Sequence, residues 1–213
     1  MNNDSVLNIS RPFGPSLGLA NMPTSIINKI NNFIDEEIIN EKKRIDELDA
    51  GKDLVGQVTQ EIKLPNEIIE GELFDFLYKA TKAYIKLSIN KEISNFELLN
   101  TWIVRQFENE YNPIHFHSGH ISGAGYLKLP ENFGLTKQKN KFNHHGSINF
   151  IHGSKQFLSS GYVSQKPKVG DFYFFPHYLY HSVNPFYGDG ERRSISFNAR
   201  IDEAIYKVYG QDT

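Results

Sequence analysis

The chain contains no cysteine among its 213 residues. Disulfides, thiolate metal ligands and cysteine nucleophiles are therefore excluded, and any metal must be bound by nitrogen or oxygen. An excess of basic residues is also missing, because the formal net charge is −2. Proteins that bind the phosphate backbone of nucleic acids carry such an excess, so we expect no nucleic-acid partner.

Long apolar runs are absent as well. No stretch approaches the roughly 18 apolar residues that a membrane helix needs, and the N-terminus has no basic region followed by an apolar one. We therefore expect a soluble, cytoplasmic protein with no membrane partner. What the sequence does have is 16 Phe and 11 Tyr, which favour strands around one globular core. No pattern in the sequence predicts an oligomeric state.

Two helices are predicted after an extended arm at residues 1–22. The first begins near Thr24 or Ser25, either of which can cap free backbone N–H groups. Its apolar stripe consists of Ile26, Ile30, Phe33, Ile34 and Ile38. The second runs from about Asn66 to Ile89, and Gly71 weakens only its first turn. We expect both helices to support a sheet.

From Phe96 onward the apolar pattern changes to period two, which is typical of strands. The candidate strands are Glu97 to Phe107, Pro113 to His117, Ile121 to Leu129, Ser147 to Ile151, Gly161 to Ser164, Asp171 to Phe175, His181 to Val183 and Arg193 to Arg200. Such a meander predicts a sandwich or barrel. We expect one domain over residues 1–213, with the arm and supporting helices in 1–95 and the β core in 96–205.

Three histidines are the candidate metal ligands. His115 and His117 are spaced i, i+2 on a predicted strand and therefore project from the same face. His181, from a distant strand, would complete one triangular face of a coordination sphere and leave the opposite positions open for substrate and oxygen. His144 and His145 are adjacent, so their rings point to opposite faces, and a loop pair is favoured over a second site.

The strand after the last turn predicts a polar cavity wall. Its polar face comprises Arg192, Ser194, Ser196, Asn198 and Arg200. Arg193 shares the other face with Ile195 and Phe197, so Arg192 is the arginine that should enter the cavity with the metal. A buried arginine requires an anion, which is either a ligand or a carboxylate of the protein itself.

The order of these motifs carries a family resemblance. The motifs are His-x-His, Ser-Gly-x-Gly-Tyr-Leu (Ser122 to Leu127), Gly-Asp-x-x-x-Phe-Pro (Gly170 to Pro176), His181 and Arg-x-Ser-x-Ser-Phe-Asn (Arg192 to Asn198). Over residues 96 to 201 this order resembles the iron(II)- and 2-oxoglutarate-dependent oxygenases, nearest to a marine bacterial and phage subgroup related to prolyl hydroxylases. The resemblance implies a mainly β fold with N-terminal helices (α+β), in which two helices buttress a double-stranded β-helix, or jelly roll.

The resemblance also implies roles for individual residues. His115 and His181 resemble the first and the distal iron ligands. Arg192 resembles the arginine that pairs with the distal carboxylate of 2-oxoglutarate, with Ser194 as its hydroxyl partner and Tyr126 as a further hydrogen-bond donor.

His117 departs from the family's pattern, because it stands where the family usually has a carboxylate ligand. His117 as the second ligand, His120 in its place, and no second ligand at all remain open.

The implied activity is that of a dioxygenase that uses iron(II), 2-oxoglutarate and O2. It would hydroxylate an unactivated C–H bond, foremost that of a peptidyl proline, and release succinate and CO2. The implied partner is a proline-containing protein or peptide in the cytoplasm, or in the host cytoplasm for a phage-encoded protein. The segments Gly51 to Pro65 and Thr136 to His145 are candidates for loops that close over the substrate.

Two other functions compete with this one. A cupin-like metalloenzyme shares the fold, and Gly170, Pro176 and His181 keep the spacing of the second cupin motif, but Ile121 and Ser122 stand where the first motif expects a glutamate. The other alternative is a jelly-roll binding module in which the histidines are incidental.

Overall fold

The structure is a computed structural model that describes residues 7–10, 14–42, 44–138 and 140–211. Its strands are β1 (Asn8–Ser10), β2 (Leu17–Asn21), β3 (Gln60–Lys63), β4 (Phe96–Gln106), β5 (Asn112–His115), β6 (Ile121–Lys128), β7 (Ile148–Ile151), β8 (Tyr162–Gln165), β9 (Asp171–Pro176), β10 (Tyr180–Val183) and β11 (Arg192–Ile201). Its helices are α1 (Thr24–Phe33), a π-helix (Ile34–Asn40), α2 (Ile45–Leu48), α3 (Asn66–Ile69), α4 (Glu72–Ile89) and α5 (Glu203–Gln211). Among these helices, none is long and apolar enough to cross a membrane.

The strands form two antiparallel sheets. The larger has the order β1-β2-β9-β6-β11-β4-β3, and the smaller has the order β5-β10-β7-β8. Their inner faces pack together, as when the ring of Phe150 on β7 lies 5.2 Å from that of Phe175 on β9. From β4 onward consecutive strands alternate between the sheets, except that β7 and β8 form a hairpin within the smaller sheet. This arrangement confirms the predicted double-stranded β-helix.

The helices cover the outer face of the larger sheet. The ring of Phe76 on α4 lies 5.5 Å from Phe172 and 6.3 Å from Phe174, both on β9. Buried residues of α1, such as Ile26 and Ile30, belong to the same apolar cluster. The expectation that the helices support a sheet is confirmed, and each strand of this sheet can therefore present one face to the helices and the other to the interior.

The N-terminal part differs from the prediction. The predicted extended arm contains strands β1 and β2, which join the larger sheet through pairing of β2 with β9, and its residues 1–6 and 11–13 lie outside the described residues. Capping by Thr24 or Ser25 is wrong: the cap position is Pro23, whose carbonyl accepts from the N–H groups of Ile26 and Ile27. Strands as short as β1 and β2 have too little alternation of polar and apolar residues to be distinguished from coil in the sequence.

The second predicted helix is two helices. Gly71 has φ +87°, so it interrupts the helix between α3 and α4 instead of weakening one turn. Strand β3 lies inside the segment predicted as a closing loop, where it pairs with β4. The strand predicted to reach His117 ends at His115, and helix α5 was not predicted at all.

Packing between β6 and β9 leaves no room for a side chain at Gly125. A Cβ there would overlap the ring of Phe172, which is fully buried. Gly125→Ala is therefore expected to lower the free energy of unfolding by about 1–3 kcal/mol through overpacking. Urea denaturation measures this difference. In Gly51→Ala the nearest atom to the new Cβ is 3.3 Å away in an exposed turn, so this control should change stability by less than about 0.5 kcal/mol; equal effects of the two substitutions would contradict the prediction.

Candidate active site

The fold brings His115, His117 and His181 together. His115 is the last residue of β5 and is the register partner of His181 on β10. His117 lies two residues beyond the strand, where its backbone N–H donates to the carbonyl of His177 over 2.9 Å. One ligand nitrogen from each of the three rings lies within 4.8 Å of the others. This spacing permits a single metal ion to be held by three imidazoles.

Hydrogen bonds decide which ring nitrogens can bind a metal. Nδ1 of His115 lies 2.8 Å from the carbonyl oxygen of Pro113, and Nδ1 of His181 lies 2.9 Å from that of Leu179. A carbonyl only accepts, so Nδ1 carries the proton in both rings and Nε2 keeps its lone pair. Nδ1 of His117 is buried and has no hydrogen-bond partner among the residues that the structure describes. An unpartnered nitrogen beside two others with available lone pairs fits a metal ligand.

Burial also favours the neutral form of each imidazole. It lowers the pKa of His115, lowers that of His117 well below its ordinary value, and lowers that of His181 to about 3. The neighbouring histidines lower the last two pKa values further, because a second positive charge would be repelled. All three rings are therefore neutral near pH 7, so a divalent cation can bind without displacing a proton.

The other candidate histidines lie elsewhere. Nδ1 of His120 accepts the backbone N–H of Ile201 over 3.1 Å, and the His120 ring stacks on Tyr206 of α5 at 3.8 Å. His120 therefore packs against the C-terminal helix and does not take the place of His117. His144 and His145 are also outside the group of three metal-ligating residues.

Arg192 is buried in the wall of the same cavity, and no carboxylate of the described residues pairs with it. Its Nη1 donates to Oε1 of Gln106 over 3.1 Å and to Oγ of Ser194 over 3.3 Å. Its Nε has no hydrogen-bond partner in the described part of the chain. Among the described residues no carboxylate lies within ion-pair distance of Arg192; the carboxylates of Asp35 and Glu191 bind Arg193 instead. A structural ion pair for Arg192 is thus contradicted, and its guanidinium remains available to an anionic ligand.

Tyr126 and Ser194 both lie next to Arg192. They are register partners on β6 and β11, and Cζ of Arg192 lies 4.9 Å from the centroid of the Tyr126 ring. The Tyr126 hydroxyl is buried, and within the described ranges it has no hydrogen-bond partner. Burial raises the pKa of this phenol, although the charge of Arg192 lowers it, so the O–H remains a donor. The cavity wall therefore offers the Arg192 guanidinium and the Ser194 hydroxyl to an anion, and the Tyr126 ring lies next to the guanidinium.

One cavity of about 610 Å³ is lined by the three histidines of the triad, Arg192 and Ser194, but not by Tyr126. Its wall also includes residues that the sequence did not single out. Glu61 and Lys63 of β3 line the cavity. Gln106, which is fully buried behind the lining, holds Arg192 through its amide oxygen. Gln106 is the register partner of Arg192, and only that pairing, which the sequence does not display, could have identified it.

Comparisons with known proteins agree with this geometry. A family model described as "Putative 2OG-Fe(II) oxygenase" matches residues 100–198, the segment that contains the three histidines and Arg192. No curated protein matches the chain.

Solved structures share the fold at low identity. A prolyl hydroxylase from Trichoplax adhaerens, in complex with a peptide fragment of the hypoxia inducible factor oxygen degradation domain, is 12% identical with a TM-score of 0.54, over 98% of this chain and 89% of that one. HygX from Streptomyces hygroscopicus with nickel and 2-oxoglutarate bound is 11% identical with a TM-score of 0.54, over 86% and 82%. HygX that also holds hygromycin B is 12% identical with a TM-score of 0.51, over 86% and 82%. The same architecture thus accommodates a peptide in one protein and hygromycin B in another.

Proposed function

Because the chain belongs to the iron(II)- and 2-oxoglutarate-dependent oxygenase superfamily, we propose that it hydroxylates an unactivated C–H bond of a peptidyl proline. The enzyme uses iron(II) and 2-oxoglutarate. One molecule each of 2-oxoglutarate, O2 and substrate is converted into succinate, CO2 and hydroxylated product. The observation that carries the proposal is a cavity that contains three neutral imidazoles and a buried arginine without a carboxylate partner.

The proposal assigns the iron to His115, His117 and His181. When bound there, iron(II) supplies the activation of O2 that C–H hydroxylation requires. Three neutral ligands leave the full charge of the ion uncompensated, whereas a carboxylate ligand would neutralise part of it. The dianionic cosubstrate can balance that charge, so iron should bind more tightly in its presence.

The proposal assigns the far carboxylate of 2-oxoglutarate to Arg192, with Ser194 and Tyr126 as further donors. Gln106 holds the guanidinium in place, and the buried wall keeps water from competing for it. A charge-assisted hydrogen bond is strengthened in such surroundings. The activity of a cupin-like metalloenzyme would not require this arginine.

A peptidyl proline is the proposed substrate because the motif order resembles prolyl hydroxylases. The Trichoplax adhaerens enzyme, which has the same fold, holds a peptide. Fold alone does not fix the substrate, as HygX holds hygromycin B. A marine bacterial or phage origin and action in the cytoplasm stay predictions of the sequence.

A succinate assay tests the proposed function. With iron(II), 2-oxoglutarate and a proline-containing peptide, we expect succinate formation and the gain of one oxygen atom on proline, measured by mass spectrometry of peptide fragments. The matched control is the same peptide with alanine in place of proline, which should gain no oxygen. Turnover with free amino acids alone, or oxygen on another residue, would contradict the peptidyl-proline substrate.

A further inference from the structure

Glu61 is a buried carboxyl group in the cavity wall. It lies on β3, where it is the register partner of Val104 on β4, and only 3% of its surface is exposed. Val104 and Glu61 both line the cavity, so they project from the same face of the sheet. A carboxylate in such a position is unfavourable unless a donor or a cation meets it.

No group of the described residues meets this carboxyl group. Among the described residues, no donor hydrogen-bonds to the Glu61 carboxyl and no cation lies within ion-pair distance. The nearest cation along the strand is Lys63, on the same face, but its Nζ is held by Asp53 over 3.2 Å. Asp49 adds a second negative charge nearby. A cation that enters the cavity would therefore stabilise the ionised form of Glu61.

The pKa of Glu61 also supports the binding of a cation beside it. Burial, assisted by Asp49, raises the pKa of Glu61 to about 7. The carboxyl group therefore changes charge within the physiological range, and a cation beside it would favour the ionised form.

The sheet connects Glu61 to the proposed catalytic groups. Glu61, Val104 and Ser194 are successive register partners across three strands, so the Cα atoms of Glu61 and Ser194 are about 10 Å apart. Trp102, which lines the cavity beside Val104, lies 5.4 Å from the His117 ring, centroid to centroid. One continuous wall thus extends from the metal site to Glu61, and a single substrate can contact both.

We propose that Glu61 is a substrate-recognition residue that binds a primary ammonium or guanidinium group of the substrate. The inference rests on the proposed function and narrows its substrate to one that carries a cationic side chain near the hydroxylated position. A charge-assisted hydrogen bond to the buried carboxylate would supply both affinity and orientation. Neutral groups cannot relieve the buried charge in this way.

A binding experiment tests the cation site. The probes are n-butylammonium and its neutral analogue 1-butanol, added to anaerobic protein loaded with iron(II) and 2-oxoglutarate. Trp102 is the only tryptophan of the chain and lines the cavity, so its fluorescence reports occupancy. We expect wild-type protein to bind n-butylammonium at least about tenfold more tightly than 1-butanol, and Glu61→Gln to lose that preference.

The pH and a matched variant supply the controls. Binding of n-butylammonium to the wild type should weaken about tenfold when the pH is lowered from one unit above the Glu61 pKa to one unit below it, because the carboxylate is then protonated. Glu97→Gln makes the same change at an exposed residue that is paired with Arg200 outside the cavity, and it should keep wild-type binding. Equal binding of the two probes, or a preference that survives in Glu61→Gln, would overturn the proposal.

Peptides distinguish this inference from the proposed function. Two proline-containing peptides that differ only in lysine or norleucine beside the proline are compared by kcat/KM for succinate formation. The wild type should prefer the lysine peptide by about tenfold, mainly through KM, and Glu61→Gln should prefer neither. Failure of the oxygenase function would abolish succinate with both peptides yet leave the n-butylammonium result intact, whereas failure of the cation site would leave succinate formation without a lysine preference.

Discussion

Arg192→Gln is expected to raise the 2-oxoglutarate concentration for half-maximal succinate formation by about 100-fold or more, because breaking a buried ion pair costs about 3–5 kcal/mol. Glutamine keeps an N–H donor, but its side chain is shorter than that of arginine and carries no charge. Since no carboxylate of the described part of the chain pairs with Arg192, the lost interaction energy should be that of its contact with 2-oxoglutarate. Iron binding should persist, because the substituted side chain is not among the three imidazoles.

The neighbouring arginine provides a matched control. Arg193 is equally buried on the same strand, but it faces the helices and binds Asp35 and Glu191. Arg193→Gln should lower the free energy of unfolding and leave the 2-oxoglutarate dependence of the folded enzyme unchanged. Kinetics at varied 2-oxoglutarate and calorimetric titration of the iron-loaded protein measure both variants. An Arg192→Gln enzyme with wild-type 2-oxoglutarate dependence would remove the proposed role and favour a cupin-like metalloenzyme.

The opposite orientation of these two arginines could be predicted from the sequence. From Ser194 to Ile201 strand β11 alternates between polar and apolar residues, and a period of two assigns Arg192 to the polar face and Arg193 to the apolar one. The eight core strands were predicted for the same reason, with ends that differ by no more than two residues. Alternation can be recognised in the sequence of a single strand, so its prediction does not require knowledge of the partner strand.

Glu61 could not be predicted in this way. Strand β3 has four residues, Gln60–Lys63, and follows a segment rich in turn residues, so nothing local distinguishes it from a loop. It becomes a strand because β4 offers an edge with which it pairs, and that pairing alone turns Glu61 toward the cavity. Strands β1 and β2 at the other edge of the sheet escaped prediction for the same physical reason.

The choice between His117 and His120 also depended on tertiary structure. Between them, Gly119 adopts φ +85°, and a Cβ at this position would approach the carbonyl oxygen of Ala199 to 2.8 Å. The close approach of the two backbones lets the N–H of His120 donate to that carbonyl. The chain therefore reverses after His117, which leaves His117 facing the cavity and His120 facing helix α5. Sequence spacing alone permits either histidine to join His115.

His117→Ala is expected to weaken iron(II) binding by more than about 100-fold and to abolish succinate formation at limiting iron. Loss of a group that merely orients a ligand costs about 10–100-fold in metal affinity, so loss of a ligand should cost more. Removing one of three neutral imidazoles leaves only His115 and His181 to hold the ion. Isothermal titration of the anaerobic protein with iron(II), with and without 2-oxoglutarate, measures the effect.

Two further variants determine whether His117 acts as a ligand or only fills space. His120→Ala removes an imidazole three residues away and should leave iron affinity unchanged, since its ring contacts Tyr206 and not the triad. His117→Asp should restore iron binding, because a carboxylate oxygen and the imidazole Nδ1 are both bonded to Cγ and so have a similar reach. The aspartate also neutralises one charge of the ion, so 2-oxoglutarate should strengthen iron binding less in His117→Asp than in the wild type. Wild-type iron affinity in His117→Ala would instead leave His115 and His181 as the only histidine ligands, and the chain would then hold its metal with two imidazoles.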